Sequence, residues 1–91
     1  MYEKEVTIKN PTGLHARPAS DFIGAAGKFA SKISIRRVEE TEDDAANAKS
    51  IIHLLSLGLC QGERVSIKAE GDDEQQAVDS LVALIESGFG E

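Results

Sequence analysis

The chain has 91 residues, enough for one small domain spanning 1–91 and too few for a second core. With 41% hydrophobic and 29% charged residues, its composition is that of a folded globular chain rather than a disordered one. A net charge of −6 argues against nucleic acid or an anionic membrane as the main partner, and a basic protein surface suits it better.

Tyr2, Val6 and Ile8 alternate with Glu3, Glu5, Thr7 and Lys9, the period-two pattern of a half-buried strand in which Lys4 is a lapse. No basic-then-apolar leader precedes it and no apolar run approaches membrane-spanning length, so a cytoplasmic location without membrane attachment is expected. Asn10-Pro11-Thr12-Gly13 breaks the strand with turn chemistry.

Gly13-Leu14-His15-Ala16-Arg17-Pro18-Ala19-Ser20 follows, the densest chemistry in the chain. As a residue type histidine titrates near neutrality, so a neutral imidazole at His15 can attack phosphorus or an acyl carbon. Arg17 supplies a permanent planar cation that suits phosphate oxygens. Pro18 has a preset φ and no N–H to lose, which suits the first turn of a helix. Ala19, Phe22, Ile23, Ala26 and Phe29 then recur at helical steps. His15 is thus expected at the mouth of a helix whose free N–H groups and dipole favour an anion. The residues alone also allow a plain capping histidine and a solvated arginine.

Ile33 and Ile35 alternate with Lys32, Ser34 and Arg36, predicting a strand near residues 32–38. Residues 39–44 hold five acids in six positions, read as a solvated loop. Ala45 to Lys49 is a weak short strand. Ser50 precedes Ile51, Ile52, Leu54, Leu55 and Leu57, as an N-cap precedes a helix, and capping alone would account for it. This short helix cannot bury its whole circumference, so some of Ile51, Ile52 and Leu55 are expected to stay exposed, as a docking patch or as the rim of the core. His53 is read as an exposed spectator. The single cysteine, Cys60, excludes an internal disulfide and fits a reducing compartment. The spacings of His15, His53 and Cys60 match no ligand pattern, so no metal is expected, and no Walker loop marks a nucleotide site.

Val65, Ile67 and Ala69 alternate with Arg64, Ser66 and Lys68 as a further strand. Asp73 and Gln76 are spaced like a capping box, Ala77, Val78, Leu81, Leu84 and Ile85 form a helix face, and Gly88 is a natural stop with Phe89 able to fold back. The order is β-α-β-β-α-β-α, an α+β chain whose helices pack on one side of a sheet. The other face is expected to be largely solvated at Thr7, Ser34, Arg36, Ser66 and Lys68.

Gly13-Leu14-His15-Ala16-Arg17-Pro18-Ala19 resembles the active-site motif of the HPr family, histidine phosphocarriers of the bacterial phosphoenolpyruvate-dependent phosphotransferase system. Asn47-Ala48-Lys49-Ser50-Ile51 resembles the regulatory-serine segment of the same family, and the likeness runs from Val6 to the end of the chain. The resemblance implies an open-faced β-sandwich, a four-stranded antiparallel sheet covered on one face by three helices. It implies that His15 accepts a phosphoryl group on Nδ1 from phosphorylated enzyme I and passes it to enzyme IIA domains, with Arg17 as charge partner. Such a chain is a stoichiometric carrier and not a self-sufficient catalyst. It also implies a regulatory phosphorylation site at Ser50 for HPr kinase/phosphorylase, and docking of enzyme I and enzyme IIA on Ile51, Ile52 and Leu55. The long acidic loop and Ser87-Gly88-Phe89 resemble the nitrogen-related NPr branch. No cofactor is expected, and a carrier with successive partners is most simply a monomer. A regulatory module acting by contact, and a small independent enzyme of the same layered class, are the competing functions.

Overall fold

A computed structural model describes residues 1–90. The elements run β1 (Tyr2–Thr7), α1 (Ala16–Ala26), β2 (Lys32–Arg37), a 3-10 turn (Glu42–Asp44), β3 (Ala46–Asn47), α2 (Ile51–Ser56), β4 (Arg64–Glu70), α3 (Glu74–Glu86) and a last 3-10 turn (Gly88–Gly90). The strands form one antiparallel sheet in the order β1-β4-β2-β3.

Alternation decides which face is covered. Ile33 and Ile35 of β2 stand in register with Ala69 and Ile67 of β4, and all four are buried beneath the helices. From α1 come Ala19, Phe22 and Ala26, and from α3 Ala77, Val78, Leu81 and Ile85, completing one core with Leu14, Leu54 and Leu59. The lapse at Lys4 has a cause. It shares the helix-facing side of β1 with Tyr2 and Val6, and its ammonium lies 2.8 Å from the Asp79 carboxylate on α3. The Tyr2 hydroxyl donates to the same carboxylate at 3.2 Å.

Four expectations change in the structure. The α1 helix stops at Ala26 with Gly27 as its C-cap, so Phe29 packs on the core from the following loop rather than from a helix face. The open face is less solvated than its polar residues imply. Ser66 is only 2% exposed, and its hydroxyl donates to Glu3 Oε2 at 2.6 Å. The acidic loop is anchored rather than free: Glu42 pairs with Lys68 at 2.7 Å, and the Arg36 guanidinium donates to the carbonyls of Arg37, Val38 and Glu40. Finally, Asp73 is the N-cap of α3 but makes no side-chain cap bond. Its carboxylate instead accepts from the backbone N–H groups of Ala30, at 2.8 Å, and Ser31, at 3.0 Å, and from the Ser31 hydroxyl, joining the start of β2 to the start of α3.

Candidate functional site

Three contacts pin the segment that presents His15. The Asn10 side chain donates to the Gly13 carbonyl at 2.8 Å, and the Gly13 N–H donates to the Asn10 carbonyl at 3.1 Å. Leu14 is fully buried, and its N–H donates to the Leu59 carbonyl at 3.1 Å. Gly13 sits at φ +71°, packed so closely on Leu59 and Cys60 that no side chain fits there. The support for Leu59 comes from Arg37 and Glu63, whose ion pair closes at 2.6 Å. Glu63 accepts from the Cys60 N–H at 2.6 Å and Arg37 donates to the Gly58 carbonyl at 3.1 Å. The guanidinium holds the Glu63 carboxyl below the usual carboxylate range, with the Cys60 N–H adding to the effect.

From this anchor the chain turns outward. His15 is the N-cap residue of α1, extended at φ −130° and ψ 164°, and it makes no side-chain cap bond. The imidazole is therefore not spent on capping. Ala16 follows at φ +51°, a left-handed conformation that costs an alanine about 1 kcal/mol. Strain of this kind between a pinned loop and a helix end persists only where the surroundings impose it, here Leu14 on one side and buried Pro18 on the other. His15 is half-exposed and Arg17 exposed, and among the described residues Arg17 forms no ion pair. The first turn of α1 holds no acidic residue, so its free N–H groups and positive dipole end are uncompensated. A half-open imidazole, a free guanidinium and a bare helix N-terminus can together accept and stabilise a phosphoryl group without enclosing it.

The second segment lies on the neighbouring helix, since α2 packs against α1 and β3. The Ser50 hydroxyl accepts from the His53 N–H at 3.3 Å, so Ser50 caps α2. Leu54 is the fully buried anchor of this helix, while Ile52 is 80% exposed, Leu55 41% and Ile51 38%. His53 is exposed but not a spectator: its Nδ1 accepts the Asn47 N–H at 3.0 Å, fastening β3 to α2. The roles of Asn10, Arg37, Glu63 and His53 were not apparent in the sequence. Only Asn10 carried a signal, the Asn-x-x-Gly spacing of a turn closed by its own side chain.

Among the described residues no group of three or more His, Cys, Asp or Glu side chains is placed to hold a metal ion. No helix among them is long and apolar enough to cross a membrane.

Residues 2–87 match the family model described as the PTS HPr component phosphorylation site. The chain is 46% identical to the phosphocarrier protein HPr of Haemophilus influenzae, over 93% of this chain and 95% of that protein. It is 42% identical to the phosphocarrier protein NPr of Proteus mirabilis, over 97% and 94%. Among solved structures, HPr-C-His from Thermoanaerobacter tengcongensis superposes with a TM-score of 0.91 at 52% identity, covering 100% of this chain and 98% of that one. A second structure from that organism is of an HPr dimer, with a TM-score of 0.74.

Proposed function

This chain belongs to the HPr family of phosphocarriers, and we propose that His15 is the residue on which it carries the phosphoryl group, with Arg17 as the charge partner. One observation supports this above the others: the imidazole stands half-exposed at a helix N-terminus free of acidic residues, on a loop whose backbone is pinned and strained. Nδ1 attacks phosphorus while the bond from phosphorus to the donor atom breaks, the donor atom leaving with the electron pair. The helix N–H groups and Arg17 share the added negative charge. Transfer onward reverses the roles, so the interactions must stabilise the phosphorylated state only modestly. The open geometry suits that requirement. On this reading the chain is a stoichiometric intermediate rather than a self-sufficient catalyst, and residues 1–91 act as one domain in the cytoplasm.

The donor on this reading is enzyme I and the acceptors are enzyme IIA domains. Ile51, Ile52 and Leu55 form the docking patch, an exposed apolar surface on the helix that packs against α1. Ser50 is the regulatory site for HPr kinase/phosphorylase. A phosphate there would keep the favourable electrostatics of a capping oxygen while setting a dianion beside the apolar patch, weakening docking rather than unfolding α2. The working form is a monomer, because both phosphoryl donor and acceptor need the same His15 surface. A dimer like that of the Thermoanaerobacter tengcongensis relative would appear at twice the mass in light scattering.

The test is incubation with phosphoenolpyruvate and purified enzyme I, read by intact-protein mass. One added phosphate that is lost in mild acid and absent in His15→Ala is expected. Labelling that persists in His15→Ala would place the carrier residue elsewhere.

A further inference from the structure

The open face of the sheet holds a second polar cleft, whose lining does not include His15 or Arg17. On β2, Ile33 and Ile35 point into the core, so Lys32 and Ser34 point to the open side. Glu70 and Lys68 of β4 stand opposite them in register, and Asn47 of β3 stands opposite Ser34. Between these side chains lies a cleft of about 460 Å³, lined among others by Lys32, Ser34, Asn47, Lys49, Lys68 and Glu70. Three of the six lysines of a chain with net charge −6 line it. That concentration runs against the character of the surface as a whole.

The donors are positioned rather than loose. The Lys49 ammonium donates to the Phe29 carbonyl at 2.6 Å, which leaves it two further protons. The Asn47 Oδ1 accepts the Lys49 N–H at 2.9 Å, which leaves its amide –NH₂ as a donor. The Lys68 side chain is only 20% exposed, and among the described residues its one ion pair is with Glu42 of the acidic loop, at 2.7 Å. Lys32 forms no ion pair among the described residues. Arg36, the next cation on this face, is occupied by three backbone carbonyls and Glu3. Glu42 thus engages the Lys68 ammonium from outside the cleft lining, and that ammonium holds its carboxyl below the ordinary carboxylate range.

We propose that this cleft binds a small phosphate ester bearing free hydroxyls, with Lys32, Lys49 and Lys68 around the phosphate, Glu70 accepting from a hydroxyl, and Glu42 competing as an internal anion. Three ammonium groups with amide and hydroxyl donors exceed what a carboxylate can accept but match the three oxygens of a phosphate dianion. The volume lies in the range of small-molecule sites and exceeds what a bare inorganic anion fills. The one carboxylate in the lining accounts for the hydroxyl, since a purely anionic ligand would meet repulsion from Glu70.

The test is an amide-resolved NMR titration of the intact protein with ribose 5-phosphate, with ribose and inorganic phosphate as parallel arms. Saturable shifts at residues 31–34, 47–49 and 68–70 are expected, with a Kd of about 1 mM for so open a cleft. Ribose alone should give none, and inorganic phosphate weaker ones. Lys68→Gln should weaken binding about tenfold, and Glu42→Gln should tighten it about threefold by freeing Lys68. The opposite sign of the two variants separates binding from loss of fold. His15→Ala should leave the titration unchanged. Shifts confined to residues 15–19, no saturable shift at about 10 mM, or no tightening in Glu42→Gln would overturn the site. Equal binding of inorganic phosphate and the ester would overturn the hydroxylated ligand class.

Discussion

Replacing Gly13 by alanine tests whether contact with the 59–60 backbone is what holds the His15 loop. Gly13 has φ +71°, and a Cβ there would lie 2.5 Å from the Leu59 carbonyl oxygen and 2.9 Å from the Cys60 Cα. Both are backbone atoms, and their segment is held by the Leu14 N–H and by Glu63, so no side-chain rotation relieves the clash. The left-handed conformation costs alanine about 1 kcal/mol. Forcing a methyl group against neighbours that cannot yield adds about 1–3 kcal/mol. The expected loss is therefore about 2–4 kcal/mol. Gly58 supplies the control: its φ is +61° and nothing lies within 4 Å of a Cβ built on it, so Gly58→Ala should cost only the conformational term, about 1 kcal/mol. Urea melts read the difference. With a slope of about 1 kcal/mol per molar for a chain of this size, Gly58→Ala should lower the midpoint by about 1 M and Gly13→Ala by about 2 M or more. Gly13→Ala should also slow phosphoryl acceptance from enzyme I, because the added methyl fits only if residues 13–15 move off Leu59. Equal midpoint shifts in the two variants would refute the contact argument. A large stability loss with unchanged acceptance would refute its link to His15.

Ser50→Ala should cost about 1 kcal/mol in thermal or urea melts through the lost cap on His53 N–H, and an unchanged midpoint would remove the capping role. Asp73 has a pKa below the ordinary aspartate value, chiefly through the Ser31 hydroxyl and then the Ala30 N–H. Because the folded value is the depressed one, its contribution is complete above the unfolded value of about 4 and is lost as pH falls through the folded value. Urea midpoints should fall between pH 7 and pH 3, and Asp73→Asn should lower the neutral midpoint and flatten that acid slope; an unaltered slope would show that other carboxylates set it. Ile52→Ser, at a side chain 80% exposed, should leave stability within about 0.5 kcal/mol. It should also raise the enzyme I concentration needed for half-maximal phosphorylation, and an unchanged requirement would remove Ile52 from the docking surface.

Much of the site was legible because it is local. The turn Asn10–Gly13, the candidate pair His15 and Arg17, and Pro18 in the first helical turn lie within nine consecutive residues, so propensity and spacing describe them without knowledge of the fold. The strand and helix faces were legible for the same reason, since Ile33 and Ile35, or Val78, Leu81 and Ile85, repeat at the period of their own element. What depends on distant partners was not. Asp73 has the spacing of a cap, yet it serves the N–H groups of Ala30 and Ser31, because the fold brings forward donors from more than 40 residues away in sequence. Lys4 looked like a break in a pattern until α3 set Asp79 against it. The strand order β1-β4-β2-β3 pairs β2 with β4 across the intervening loop and helix, and only that pairing puts Lys32, Lys68 and Glu70 on one surface. Periodicity reports which side of an element is apolar, a short-range property of the chain. Which polar groups then meet is settled when the buried faces combine, because desolvated donors and charges must take whatever partners that packing brings within reach.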